Sequence, residues 1–136
     1  MKFVQWIDDK YSVKIQKIDG QHQVLIGIIN EVFEAKTNGM SKKVIADILE
    51  RMSDYTKTHF KDEEELMDEY QYPELDRHRS AHQFFVAKVG DFNRDFSLNE
   101  DSLTEEMLDF LKNWLVKHIM ETDKRYAPFL NERGVR

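Results

Sequence analysis

Long stretches of the sequence contain no helix-breaking residue, and this feature constrains the fold more than any other. The chain has only two prolines and five glycines in 136 residues. Between the breaks, apolar residues recur at the spacing of an amphipathic α-helix. This spacing predicts helices over residues 21–37, 41–69 and 74–92, a fourth helix ending near residue 120, and a short C-terminal helix over residues 124–130.

Local signals mark the ends of these helices. Asp19 and Ser41 are candidate N-caps of the first and second helices. Ser102 and Glu105 form a capping-box pattern at the start of the fourth. Pro73 disfavours helix at the residue before it and suits the first turn of the helix that follows. Because the connections are short, consecutive helices are expected to run antiparallel.

The predicted fold is therefore all-α: an up-down-up-down antiparallel four-helix bundle in a single domain spanning residues 1–136. The bundle is expected over residues 21–130, with Val24 and Leu25 among the apolar positions of the first helix. Residues 1–20 do not follow the helical pattern. The stretch "SVKIQKI" alternates apolar and polar side chains, which predicts an extended N-terminal arm lying along the bundle.

The composition excludes several kinds of site and partner. The chain has no cysteine, which excludes disulfides, thiolate metal sites and a cysteine nucleophile. The net charge of -6 argues against binding to nucleic acid or to an anionic membrane surface. The longest apolar stretch, "VLIGII", is too short for membrane insertion. With no apolar signal-peptide core in "MKFVQWIDDK", a cytoplasmic location is expected. The acidic surface and the absence of an obvious apolar patch make a monomer the expected state.

All five histidines fall on or beside the apolar faces of predicted helices. They are His22, His59, His78, His82 and His118. One histidine in such a position is usually a core side chain with a satisfied hydrogen bond. Five imidazoles directed at one core from four helices would leave many buried polar atoms needing partners. A shared metal centre would satisfy all of them at once.

Spacing pairs these histidines with each other and with a carboxylate. His78 and His82 are four residues apart, so they lie one helical turn apart on one face and could chelate one ion. His59 and Glu63 have the same spacing, so Glu63 is expected to point inward from the acidic run at 62–65. The other acids of that run are expected to face solvent: Asp62, Glu64 and Glu65.

The last candidate pair does not fit a regular helix. His118 and Asp123 are five residues apart, which on an ideal α-helix places them about 140° off the same face. Either the helix ends or distorts near Glu121, or Asp123 is not a ligand. The spacing leaves both Glu121 and Asp123 available as the carboxylate.

The order of these residues resembles the hemerythrin family, and it matches the bacterial hemerythrins. The motif is His22, His59-x-x-x-Glu63, His78-x-x-x-His82 and His118-x-x-x-x-Asp123. The resemblance extends over nearly the whole chain, including "VQWIDDKYSV", "IDGQH" and "NWLVKHI". Because the last family motif has the five-residue step, the resemblance implies that Asp123 is the ligand.

The resemblance implies two non-haem iron ions with an oxo or hydroxo bridge, and reversible O2 binding as the function. One iron would be bound by His78, His82 and His118, and the other by His22 and His59. Glu63 and Asp123 would bridge the pair. The first iron then has six ligands and the second has five, so O2 would bind at the open position and be held as a hydroperoxide.

The resemblance also implies an apolar pocket that keeps water away from the bound O2. Its residues would be Leu25, Phe60, Trp114, Leu115 and Ile119. Ordinary core packing is the alternative role for these side chains, most of all for Leu25 and Trp114. The two roles are compatible.

The resemblance favours an O2 carrier, store or delivery protein over an enzyme. Di-iron oxidases of the bundle type use paired Glu-x-x-His motifs, and the sequence contains none. No catalytic residue is therefore assigned. The alternatives are an O2 or redox sensor, or a weak di-iron oxidase, peroxidase or nitric-oxide-handling enzyme. A redox or O2-consuming protein partner is left open.

Overall fold

The computed structural model describes residues 4–98 and 105–136, and in these ranges the secondary structure is helical. The helices are α1 (Asp8–Tyr11), α2 (Gln16–Thr37), α3 (Lys42–Glu69), α4 (Leu75–Leu98), α5 (Glu105–Lys117) and α6 (Lys124–Glu132), and a π-helical segment (His118–Asp123) joins α5 to α6. α2 packs against α3 and α5, and α3 packs against α4. The predicted all-α four-helix bundle is thus confirmed.

The first long helix begins earlier than predicted. α2 starts at Gln16, so Asp19 lies within its first turn, and the assignment of Asp19 as the N-cap is wrong. The Asp19 carboxylate instead accepts hydrogen bonds from the Val13 backbone N–H at 2.9 Å and from the Ser12 hydroxyl at 2.5 Å. These bonds hold the turn before α2, where Lys14 has a φ of 57°. Asp19 therefore organises the approach to the helix.

The N-terminal arm is only partly extended, because it contains the short helix α1, Asp8–Tyr11. Val13 and Ile15 are buried in a cluster with Met67 of α3 and Tyr126 of α6. The alternation of apolar and polar residues in the arm thus arises because one side of an irregular segment is buried, and not because the segment is a strand. The arm and the C-terminal helix together cover one end of the bundle.

The main core lies between the long helices. Its fully buried side chains include Leu25, Ile29, Leu49, Met52, Phe85 and Leu111. Val24, which the helical spacing grouped with Leu25, is instead 45% exposed. Val24 lies about 100° around α2 from Leu25, on the side of the helix that stays exposed. None of the helices that the structure describes is both long and apolar enough to cross a membrane.

The connections agree only in part with the predicted helix ends. Ser41 is the N-cap of α3, and its hydroxyl accepts a hydrogen bond from the Val44 N–H at 3.3 Å. α4 begins at Leu75, two residues after Pro73, and continues past the predicted end at residue 92. The capping box of Ser102 and Glu105 lies outside the residues whose side chains are described.

Candidate metal centre

The side chains of the His/Glu/Asp motif meet in the interior of the bundle. Each is at most 5% exposed: His22 from α2, His59 and Glu63 from α3, His78 and His82 from α4, and His118 and Asp123 from the π-helical segment. Polar residues of this kind are almost never buried together without a partner. The three longest helices and the π-helical segment that continues α5 thus contribute to one polar cluster.

The cluster divides into two overlapping groups, and within each group the ligand atoms lie within 4.8 Å of one another. The first consists of His78, His82, His118 and Asp123. The second consists of His22, His59, Glu63 and Asp123. Three histidines on one side and two on the other is the division that the hemerythrin resemblance implies.

Asp123 lies between the two histidine groups. Its Oδ1 atom is 2.9 Å from Nε2 of His78 and 2.9 Å from Nε2 of His118. Its Oδ2 atom is 3.0 Å from Nε2 of His22. Each oxygen of this carboxylate therefore faces a different group, which is the arrangement that a bridging ligand needs.

Glu63 has a similar arrangement on the opposite side of the cluster. Its Oε1 atom contacts Nε2 of His59 and lies 3.7 Å from Nε2 of His22. Its Oε2 atom lies 3.7 Å from Nε2 of His78. Of the four acids in the run at 62–65, only Glu63 enters the cluster, as its spacing from His59 predicts.

The π-helical segment explains the five-residue step from His118 to Asp123. A π-helix closes each hydrogen-bonded turn one residue later than an α-helix, so residues five apart come to the same face. The helix therefore distorts between these residues, which is one of the alternatives that the spacing leaves open. Glu121 is exposed, and Asp123 is fully buried at 0%. The buried carboxylate is thus Asp123.

Many polar atoms of the cluster have no hydrogen-bond partner among the described residues. They are both ring nitrogens of His22, Nε2 of His59 and of His78, and both carboxylate oxygens of Glu63 and of Asp123. Burying such groups unpaired is costly, whereas metal coordination satisfies them. A mixed imidazole and carboxylate set suits transition metals such as iron. The residues present therefore fit a two-metal centre.

Without a bound cation, protons balance the charge of the two carboxylates. Burial opposes the charged form of His22, but the carboxylates of Asp123 and Glu63 outweigh it and raise the pKa of His22 to about 10. The same forces raise the pKa of His78 to about 9. Burial also opposes ionisation of Glu63, but His59 and His22 hold the pKa of Glu63 well below its usual range. A metal ion must displace protons from these rings in order to bind.

A hydrogen-bonded chain on the outer side of His59 fixes its ring. Nδ1 of His59 lies 2.6 Å from Oε1 of Gln21, and Nε2 of Gln21 donates to Oδ2 of Asp62 at 2.7 Å. Lys17 lies 3.7 Å from the same Asp62 oxygen. The expectation that Asp62 is a freely solvated side chain is therefore wrong. Because Asp62 is one residue before Glu63, it points to the flank of α3, where α2 reaches it.

Glu64 plays the corresponding part at His82. Its Oε2 atom lies 2.9 Å from Nδ1 of His82, and its Oε1 atom accepts a hydrogen bond from Nε of Arg79 at 3.0 Å. The expectation that Glu64 faces solvent is therefore wrong as well, whereas Glu65 is exposed as predicted. Such outer hydrogen bonds fix the tautomer and orientation of a ligating imidazole, with Nε2 toward the metal.

Aromatic rings cover the three-histidine side of the cluster. Phe60 stacks on His82 with ring centroids 3.8 Å apart, and Trp114 stacks on His118 at 4.4 Å. The remaining predicted pocket residues are Leu25, Leu115 and Ile119, each at most 2% exposed. All five lie in or against the main apolar core, and Phe60 and Trp114 contact ligand rings directly. Their contact with O2 stays a prediction.

The sequence argument missed Tyr126, whose ring centroid lies 5.5 Å from that of His78. Its hydroxyl is buried without a hydrogen-bond partner in the described part of the chain. Burial and the charges of Glu63 and Asp123 raise the pKa of Tyr126 well above its usual range. Tyr126 therefore stays neutral and keeps its proton beside the carboxylates. Its position three residues after Asp123 is the signal that could have found it.

Comparison with known proteins agrees with this geometry. Residues 13–130 match the family model described as the hemerythrin HHE cation binding domain. Similar proteins include the Bacteriohemerythrin of Stenotrophomonas maltophilia, 34% identical over 93% of this chain and 81% of that protein. The Bacteriohemerythrin of Clostridium acetobutylicum is 33% identical over 87% of this chain and 95% of that protein.

Similarity extends to a myohemerythrin and to solved structures. Myohemerythrin-1 of Phascolopsis gouldii is 31% identical over 88% of this chain and 88% of that protein. A wild-type hemerythrin crystal structure superposes with a TM-score of 0.87 at 26% identity, covering 93% of this chain and 96% of the other. Since the family model spans most of the sequence and the fold agrees along nearly its whole length, the chain belongs to the hemerythrin family.

Proposed function

We propose that this protein binds O2 reversibly at a non-haem di-iron centre. The observation that carries the proposal is the position of two buried carboxylates, Glu63 and Asp123, each with one oxygen toward the three-histidine group and one toward the two-histidine group. Buried carboxylates that make no hydrogen bond within the described part of the chain, and that lie between two sets of imidazoles, fit a pair of bridged metal ions. The family to which the chain belongs has a cation-binding domain over these residues.

The donor count makes the two metal positions unequal. His78, His82 and His118 would hold one iron, and His22 and His59 would hold the other, while Glu63 and Asp123, with a solvent-derived oxygen, would serve both. The second iron would then have one protein ligand fewer, which would leave room for O2. A di-iron centre held in this way would supply two electrons to O2 and recover them on release.

The protein itself contributes exclusion of water and fixed ligand geometry. Phe60 and Trp114, which stack on His82 and His118, and the buried side chains of Leu25, Leu115 and Ile119 would exclude water from the bound group. Gln21 and Glu64 hold the outer edges of two histidine rings.

We further propose carriage, storage or delivery of O2 as the role, with no catalytic turnover, since the sequence lacks any Glu-x-x-His motif. A monomeric state, a cytoplasmic location and a redox or O2-consuming protein partner stay predictions from the sequence.

An optical experiment tests the proposal. The iron-loaded protein is reduced anaerobically, O2 is admitted, the visible spectrum is recorded, and the sample is purged and cycled again. We expect a charge-transfer band that appears with O2 and disappears on purging over several cycles. A band that gives way to the diferric spectrum within one cycle would favour a sensor or an oxidising enzyme. Absence of any band in protein that binds two irons would contradict O2 binding.

A further inference from the structure

The outer edges of His59 and His82 are held by groups of different charge. Nδ1 of His59 faces the neutral amide of Gln21 at 2.6 Å, whereas Nδ1 of His82 faces the carboxylate of Glu64 at 2.9 Å. His59 belongs to the two-histidine group and His82 to the three-histidine group. The two proposed metal positions therefore differ in the charge behind their ligands as well as in the number of histidines.

Glu64 is itself held in place from the solvent side. Its side chain is 22% exposed, and Arg79 donates to the oxygen that does not face His82. Glu64, Arg79 and His82 line the same surface groove between α3 and α4. Glu64 thus stands between solvent and the ligand ring, with one oxygen on His82 and the other on Arg79.

We propose that Glu64 is a positioning residue that makes the three-histidine group the more electron-rich of the two, and that Arg79 moderates this effect. A carboxylate behind a ligating imidazole fixes its tautomer and raises its basicity as a ligand. The amide of Gln21 fixes the ring of His59 without a charge in direct contact, because the carboxylate of Asp62 lies one hydrogen bond further out. The positive charge of Arg79 partly neutralises the carboxylate of Glu64, so the effect of that carboxylate on His82 is weaker. The inference rests on the proposed two-metal site.

Two substitutions that break the same ion pair test this assignment. Glu64→Gln keeps a hydrogen-bond acceptor for His82 and removes the charge, so the midpoint reduction potential of the iron-loaded protein is expected to rise. Arg79→Gln leaves the charge of Glu64 uncompensated, so the potential is expected to fall. If Glu64 and Arg79 only held α3 and α4 together, both changes would shift the potential in the same direction. Shifts of the same sign, or no shift in either variant, would overturn the inference.

A second measurement does not depend on iron redox chemistry. The metal-free protein is titrated with Co(II) in competition with a chelator, and the wild type is expected to bind two ions. Glu64→Ala is expected to weaken one of the two binding steps by about 10- to 100-fold, as is typical when an outer partner of a ligating histidine is lost. The exposed neighbour Glu65 supplies the control, since Glu65→Ala should match the wild type.

The outcomes separate this inference from the proposed function. If the wild type does not bind two Co(II) ions, the two-metal site and this inference both fail. If the wild type binds two ions and Glu64→Ala binds them equally tightly, only the role of Glu64 fails. Should Glu64→Ala not fold, as judged by circular dichroism, Glu64→Gln carries both measurements. In that variant an unchanged potential together with unchanged Co(II) affinity overturns the inference.

Discussion

His22 and Asp123 lie near opposite ends of the chain, yet Nε2 of His22 is 3.0 Å from Oδ2 of Asp123. α2 carries the first of these residues, and the π-helical segment carries the second. A cation bound between them would tie the first helix of the bundle to the last. Metal binding at the centre should therefore change the free energy of unfolding of the whole protein.

Metal binding is expected to stabilise the protein against unfolding. A ligand that binds only the folded state adds about 4 kcal/mol when its free concentration is about 1,000 times the dissociation constant. Urea unfolding of the chelated protein and of the Fe(II)-loaded protein under anaerobic conditions measures this difference. Equal midpoints in the two samples would show that the cluster does not bind the metal in the folded state.

Glu63→Ala is expected to lose both metal ions, because it removes a carboxylate that faces both histidine groups. Asp62→Ala should retain both, since Asp62 contacts Gln21 and does not face the cluster. The matched control is Glu65→Ala, which removes an exposed acid from the same helical turn. Metal content per chain, measured by elemental analysis after desalting, decides the matter. Full metal loading of Glu63→Ala would contradict a bridging role.

The metal-free protein is expected to lose stability as the pH rises above 6.5, the ordinary pKa of histidine. Burial opposes protonation of His22 and His78, but the neighbouring carboxylates raise their pKa values from 6.5 to about 10 and about 9. A group with a raised pKa in the folded state stabilises fully below its unfolded pKa. That stabilisation is lost as the pH rises through the folded value.

The carboxylates act in the opposite direction. The pKa values of Glu63 and Asp123 are lowered, so their contribution is present above the ordinary values of 4.5 and 3.8 and is lost as the pH falls below them. Thermal melts of chelated protein from about pH 3 to about pH 11 should therefore show a maximum between these limits. A melting temperature that keeps rising from pH 6.5 to the alkaline end would contradict the protonated state of the rings.

Leu25→Ala is expected to shorten the lifetime of the O2 complex, because Leu25 is buried one helical turn after His22 and its truncation would admit water there. Leu49→Ala is the matched control, since both leucines are 1% exposed and Leu49 lies well before His59 on α3. Each substitution should destabilise the fold by about 2–5 kcal/mol through the cavity it leaves. The rate of autoxidation in air separates the two variants. Equal rates would assign Leu25 to core packing alone.

The bundle and most of the cluster could be predicted because helical periodicity fixes both at once. Glu63 and His59 are four residues apart on one face, so burying one buries the other. The same holds for His78 and His82. For these pairs, the identity and spacing of residues within one helix are enough to predict which side chains face the cluster. The tertiary contacts are consistent with that prediction.

The remainder depends on contacts between elements that a single helix does not encode. Glu64 has a solvated residue on one side and a cluster residue on the other, and only the approach of Arg79 and His82 from α4 decides its environment. The start of α2 was misplaced because Asp19, a good N-cap residue, bonds to Val13 and Ser12 instead. The residue type of Asp19 correctly indicates a side chain that accepts hydrogen bonds from nearby groups, but it does not indicate which groups donate them.

The π-helical segment between His118 and Asp123 also bears on how this chain tolerates changes in length. A π-helical turn contains one residue more than the α-helical turn that would bring the same two positions to one face. Beyond this segment, α6 still buries Tyr126 and Leu130 in the core. Deleting one residue here would let the backbone return to regular α-helix without rotating α6 out of register. A relative that lacks one residue in this segment would therefore keep the bundle, but the distance between its counterparts of His118 and Asp123 would differ.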